Sequence, residues 1–448
     1  MRHQPAPTPP PGCPAHDSGR RVPLYGPEFA ADPQAYYAYL RHYGATAPVE
    51  IAPGVEATLV TDYAAARQLL QSSGAAMSRD SRRWRELNEG RVPLDSPVLP
   101  VLGYQPHCVF ADGAEHQRLR QAITESMNRV DPGRLTQTTE QISDYLIARF
   151  STLGSADLLG DYASQVPLLV FNELFGCPAD IGDRIVDGIT GMFDGVDAGK
   201  AIEVLHGAVG ELVALKRAAP GDDVTSWLMQ HQADLNDGEL LNELCVLFVA
   251  GNEPLSNLMG NTLHRLLTLD RRARANVLID DAINDTLWEN PPIQNFAAHY
   301  PVTDMRFAGR EFREGDLVLV SLAAANTGPA VTAARQEPGN RAHLAWSAGP
   351  HACPSKEPAR QITLTAVENL LNQIPDVELA VPAENLTWRP GPFSRGLAAL
   401  PARFSPVEAQ PMRRPAPRAE EPEPSAPADL PKAETGGLWS QFLTWLKG

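Results

Sequence analysis

The chain has 448 residues, 43% of them hydrophobic and 21% charged, with a formal net charge of −16. That length can hold a large globular core with tails. The acidic balance excludes general nucleic-acid binding, which needs basic stripes to neutralise phosphates. The five cysteines (Cys13, Cys108, Cys177, Cys245 and Cys353) are scattered and lack C-x-x-C spacing, which excludes a disulfide framework and a thiolate zinc site.

Met1 to Arg21 is rich in proline and lacks an apolar signal-peptide core, so a disordered leader on a cytoplasmic chain is expected. No apolar run is long enough for a spanning helix. Globular composition then extends over residues 22–405. Asp32-Pro33 is a cap followed by a first-turn proline, and predicts a helix over 35–41. Val49-Glu-Ile51 and Ala57-Thr-Leu-Val60 read as a strand pair, and Thr61-Asp62 caps a helix running to Leu70. Residues 74–110 carry little periodicity and predict a long functional loop.

Amphipathic helical patterns resume at 114–128, 135–152, 160–175 and 181–216. The longest helix runs from about Asp237 to Leu269, and its centre, Leu244-Cys-Val-Leu-Phe-Val-Ala250, is apolar all round. Such a helix is buried through the middle of a domain. A helix at 276–288, Pro291-Pro292 and strand-like stretches at 293–307 and 317–322 follow, and another helix ends near Gln373. The fold class is therefore mostly α with a small β region.

Between the last strand and the last of these helices lies His343-Leu-Ala-Trp346-Ser-Ala-Gly349-Pro-His351-Ala-Cys353-Pro-Ser355. A lone cysteine is ordinarily a small buried hydrophobe. This one sits in a Gly/Pro turn opening onto a helix N-terminus, where amide N–H groups and the helix dipole favour a thiolate. A thiolate so placed suits the axial position of a haem iron, where it pushes electron density toward O–O cleavage.

With Trp346, Gly349, His351 and Cys353 in register, the loop resembles the Phe-x-x-Gly-x-(His/Arg)-x-Cys-x-Gly signature of bacterial cytochromes P-450, which are haem-thiolate monooxygenases. The resemblance covers roughly residues 22–405. It implies haem b bound through Cys353, a long central helix over the haem and the cysteine loop beneath it. Trp346 would shield the thiolate, Gly349 would permit the tight turn, and His351 would meet a haem propionate. Glu115-His116-Gln-Arg118-Leu-Arg120 is similar to the family's propionate-binding helix, with His116 and Arg120 four residues apart on one face. In the strand after Pro291-Pro292, His299 occupies the position that usually holds a propionate-binding arginine. A small organic substrate and a ferredoxin-type electron donor are implied as partners, with pocket walls from 74–110 and 171–210.

Three departures stand out. Ala250-Gly-Asn-Glu253-Pro254 resembles Ala-Gly-x-(Glu/Asp)-Thr, which keeps the proton-relay acid Glu253 but has Pro254 for the alcohol; Ser256 or a water would have to substitute. Asp285-Thr-Leu-Trp288 replaces Glu-x-x-Arg, as in an actinobacterial subgroup of the family, and the segment Val331 to Arg341 is shortened. Joint loss of both sides of a buried ion network implies a rebuilt core. In the cysteine loop, Ser355 replaces a glycine, and Pro358 is expected to distort the start of the following helix. These changes leave a second reading open, a haem-binding signalling or scaffold protein with little oxygenase activity.

After residue 405 the composition changes: eight of the 26 residues from Pro406 to Pro431 are proline. We read 406–437 as a linker and 438–448 as an amphipathic helix. Its Leu438, Trp439, Phe442, Leu443, Trp445 and Leu446 share an arc of about 160°. Docking on its own domain, or on a partner protein, fits better than a membrane surface, because Lys447 is the only cation on the polar face. Peripheral membrane contact remains the third option.

Overall fold

The computed structural model describes residue 10 and residues 21–72, 74–194, 198–407 and 436–447. The Pro-rich leader, apart from residues 10 and 21, and the linker over 408–435 lie outside the described residues. Helices dominate, with one six-stranded mixed sheet. Its strands are β1 (Val22–Pro23), β2 (Thr46–Ala52), β3 (Val55–Val60), β4 (Met77–Ser78), β5 (Asn295–Pro301) and β6 (Val318–Ser321), in the order β1-β2-β3-β6-β5-β4. The mostly α reading with a small β region therefore holds.

Local chemistry explains the helix starts. Asp32 accepts from the Ala35 amide at 3.0 Å, and Asp62 accepts from Ala65 at 2.9 Å to open α1 (Tyr63–Leu70). Downstream run α2 (Gly113–Met127), α3 (Pro132–Phe150), α4 (Gln165–Leu174), α5 (Ala179–Asp194) and α6 (Ala198–Ala218). The central helix α7 (Asp237–Leu267) opens with a full capping box between Asn236 and Glu239. At 31 residues it is about 46 Å long. It runs through the largest core cluster, where Leu244, Phe248, Met259 and Leu263 are fully buried. Pro254 lies inside it without interrupting it. Next come α8 (Ile279–Glu289) and α9 (Lys356–Gln373).

Pro358 does not distort α9. It is the helix's third residue, where an amide has no partner one turn back in any case, and the Ala359 amide makes the normal bond to Ser355 O at 2.9 Å. The 74–110 stretch is less irregular than its sequence suggests. It carries β4, a turn of helix at Arg85–Asn88 and another at Leu99–Leu102.

The tail forms α10 (Leu438–Lys447) and docks on its own domain between α3 and α5. Trp439 and Phe442 are buried, and the Trp439 indole donates to Cys177 O at 3.1 Å. The ring lies so close to Gly182 that a Cβ there would stand 2.7 Å from Trp439 Nε1. Asp183 of α5 accepts from the Trp439 amide at 2.8 Å and the Ser440 amide at 3.2 Å, capping the tail helix from outside. Tyr145 of α3 packs edge-on to Phe442 at 5.4 Å and against Trp445 at 5.3 Å. The apolar face is thus turned onto the protein's own surface. No helix among the described residues is long and apolar enough to cross a membrane.

Candidate active site

Cys353 is half-buried at the end of a closed loop: its amide donates to Trp346 O at 2.8 Å, and the Ser347 amide donates to Leu344 O at 2.7 Å. The loop needs left-handed backbone at Ser347 (φ 61°) and Gly349 (φ 69°). At Gly349 only glycine fits, since a Cβ would stand 2.7 Å from Gln71 Cα just past the end of α1. Burial pushes the Cys353 thiol up, against the opposing influence of a backbone hydrogen bond at Ser355 and the charges of Arg120 and Lys356. Trp346 packs on Leu258, Ile283 and Leu287, between α7 and α8.

The residues expected to hold propionates converge on this loop. Arg120 of α2 donates to Ala352 O, next to the cysteine. On the same helix face, the buried His116 ring lies 3.9 Å from the His351 ring, and His116 Nε2 is buried with no partner. His299 is buried on β5, with Nδ1 2.6 Å from Ala297 O. Arg79, which follows β4, also lies here; sequence reasoning missed it. Its side chain is 7% exposed and its Nε has no partner. Burial and then the neighbouring charges, Arg79 first, push His351 well down; burial lowers His299 and His116 likewise.

Basic groups thus gather around one cysteine with little acid among them. The nearby Asp112 is occupied by Ser78 Oγ at 2.5 Å and the Arg79 amide at 3.0 Å. Two arginines and three neutral imidazoles with few carboxylates among them fit a thiolate-ligated group that carries two carboxylates of its own, as haem does.

On α7, Glu253 is tied up. Arg389 Nη2 donates to Glu253 Oε1 at 3.0 Å and to Asn257 Oδ1 at 2.7 Å. Ser256, expected with a water as an alternative source of the alcohol, spends its hydroxyl on Asn252 O at 2.9 Å. Phe171 of α4 lies over Gly251, where a Cβ would stand 2.7 Å from its ring. Lower on α7, buried Glu243 accepts from the Cys108 amide at 2.7 Å. Burial, only partly opposed by the Cys108 hydrogen bonds and Arg120, raises its carboxyl to about 7.

The core around the missing Glu-x-x-Arg pair is rebuilt with neutral groups. Trp288 is 1% exposed, donates its indole N–H to Asn340 O at 2.9 Å and meets the His343 ring edge-on at 5.6 Å. Burial, helped by Arg360 and Arg341, lowers His343 to about 4, so it is uncharged at neutral pH. Asp285 turns outward to Arg265 at 2.6 Å. An ion network stands instead at the start of α8, where Asp280 holds Arg341 at 2.6 Å and also pairs with Arg360 of α9. The shortened segment therefore still delivers an arginine, Arg341, to α8.

No family profile matches the chain. Among curated proteins it is 30% identical to cytochrome P450 107B1 of Saccharopolyspora erythraea, over 84% of this chain and 96% of that one. It is 32% identical to the cytochrome P450 monooxygenase PikC of Streptomyces venezuelae, over 85% and 92%. Among solved structures, CYP154C4 from Streptomyces sp. W2061 superposes with a TM-score of 0.76 at 26% identity, covering 86% of this chain and 98% of the other. With the cysteine loop, the central helix and this likeness together, the chain belongs to the cytochrome P450 family. It is a P450-type enzyme of the haem-thiolate monooxygenase class. Its cofactor is haem b, ligated by a cysteine thiolate.

Proposed function

We propose that this protein is an atypical P450 monooxygenase. In this reading Cys353 ligates the iron, and His116, Arg120 and His351 form the propionate side of the site with His299 beside them. Electrons come from a ferredoxin-type partner. The observation that carries the reading is the convergence of the Cys353 loop with the buried, unpartnered His116 Nε2 and its neighbours. When bound, haem supplies the oxygen-insertion chemistry.

The protein's own residues do the rest. Amide hydrogen bonding and the Arg120–Ala352 contact fix the loop that presents the sulfur. Phe171 and the neighbouring part of α7 form a wall for a small organic substrate, with further wall residues from 74–110 and 171–210. Proton supply is the atypical part. Glu253 is held by Arg389, Ser256 donates within its own helix, and Pro254 has neither hydroxyl nor amide proton. Because Pro254 cannot donate, the Ala250 carbonyl is left without its helical partner and can accept from a water or a substrate hydroxyl. Proton delivery in this protein then depends on that guest donor and not on a protein alcohol.

The test is coupling. Reductant consumption and product are measured across substrates with and without a hydroxyl near the oxidised carbon. Coupled turnover confined to the hydroxylated substrates supports the proposal. Reductant consumption without product for every substrate would favour the scaffold reading, to which the ion-paired Glu253 also lends weight. The tail α10, in the same reading, is an intramolecular brace on α5 and not a membrane anchor.

A further inference from the structure

We infer that Arg79 is a haem-propionate anchor, taking over the role for which His299 is poorly equipped. This inference rests on the haem-thiolate reading and names a residue of that site. The first support is register. Strands β4 and β5 run antiparallel, with Met77 opposite Pro301 and Ser78 opposite Tyr300. Continuing that register one residue past the end of β4 would set Arg79 opposite His299, and cross-strand partners share a face of the sheet.

A second support is the state of His299. The ladder between β5 and β6 shifts between Phe296 and His299, and Ala297 within that bulge has φ 51°. The bulge re-aims the strand and brings His299 Nδ1 to 2.6 Å from Ala297 O. A carbonyl can only accept, so Nδ1 carries the hydrogen. In the neutral ring Nε2 then offers a lone pair, which repels a carboxylate instead of binding it. Burial and the Arg79 charge both favour that neutral ring.

Third, Arg79 itself has no adequate partner. Among the described residues no ion pair or hydrogen bond reaches its side chain, and its Nε is buried unpartnered; the nearby Asp112 supports the guanidinium by charge alone, its Oδ2 accepting from Ser78 Oγ and from the Arg79 amide. Desolvation lowers the guanidinium only to about 10, so it stays cationic at neutral pH. A buried cation that keeps its charge calls for a buried anion. The guanidinium fork suits a carboxylate in a bidentate pair, and the haem propionate is the carboxylate this site must receive. The arginine missing from position 299 is supplied by the neighbouring strand.

The test uses purified holoenzyme and follows haem loss to excess apomyoglobin, together with the thermal midpoint of each variant. Arg79→Gln should release haem at least about tenfold faster, the scale of losing a charge-assisted hydrogen bond, and Arg79→Lys should fall between it and the parent. Adding His299→Arg to Arg79→Gln should restore retention. It also provides a folded comparison if the single variant does not accumulate. Proteins reconstituted with haem dimethyl ester, which has no propionate charge, should lose it at one rate whether residue 79 is Arg or Gln. Parental haem retention in Arg79→Gln, or an unchanged difference with the diester, overturns the proposal. The same holds if His299→Arg fails to rescue a folded Arg79→Gln protein. If the parent shows no thiolate-ligated spectrum, the haem reading itself fails; a normal parent spectrum with an indifferent Arg79 refutes this inference alone.

Discussion

Putting the family's arginine back at position 288 should damage this protein. The Trp288 side chain is 1% exposed. A buried tryptophan removes about 200 Å² or more from water, which at about 25 cal/mol per Å² is a stabilisation of roughly 5 kcal/mol as an upper figure. Its indole N–H also satisfies Asn340 O. Trp288→Arg would forfeit much of that packing and introduce a cation whose natural partner faces away, since Asp285 is paired with Arg265 at the surface. The ring opposite is the neutral His343. An unpaired buried charge costs about 3–5 kcal/mol, similar to the 3–5 kcal/mol of a Trp→Ala cavity. Denaturant titration followed by the Soret band, at equal haem saturation, should therefore place Trp288→Arg well below the parent and below Trp288→Phe. If Trp288→Arg matches the parent midpoint, the pocket still accommodates an ion pair and the rebuilt-core argument is wrong.

Three other perturbations probe separate parts of the molecule. Pro254→Thr restores an alcohol beside Glu253 and should raise the product formed per reductant consumed, by up to about 100-fold on the scale of general acid catalysis; unchanged coupling would show that the missing hydroxyl is not limiting. Trp439→Ala should lower the melting temperature by several degrees and raise protease sensitivity near α5, while the parent protein should not co-sediment with anionic lipid vesicles. Tail-dependent vesicle binding would contradict intramolecular docking. Glu243 has a folded pKa of about 7, raised mainly by burial. Its contribution is therefore fully present below its unfolded pKa of about 4.3 and is lost as pH rises through 7. The parent should lose up to about 3 kcal/mol relative to Glu243→Gln between pH 5 and pH 8, and parallel pH–stability curves would show that Glu243 does not ionise in this window.

What the sequence showed and what it hid follow from distance along the chain. The Cys353 loop is legible because its turn glycine, aromatic and cysteine are near neighbours whose spacing is itself the structure. His116 and Arg120 are legible as an i,i+4 pair on one helix face. Asp285 and Trp288 announced a core without the Glu-x-x-Arg pair, and Trp288 lies there among the neutral groups of His343 and Asn340. The Asp280–Arg341–Arg360 network stayed hidden, because it joins three segments far apart in sequence. Arg79 was equally silent, since its meaning depends on a strand register and a bulge on the opposite strand. The tail's apolar face could be read from its periodicity, but its target could not: the groove exists because Gly182 leaves room for Trp439. The effect of Pro358 was misjudged because a first-turn proline costs a helix nothing.

The central claim is that Cys353 places a thiolate on a haem iron. The most direct measurement is the reduced carbon-monoxide difference spectrum of the full chain, expressed with ample haem, beside that of Cys353→Ser. A thiolate-ligated band in the parent that disappears in Cys353→Ser is the predicted result. A haem-replete parent without that band, or a band that survives in Cys353→Ser, would contradict it.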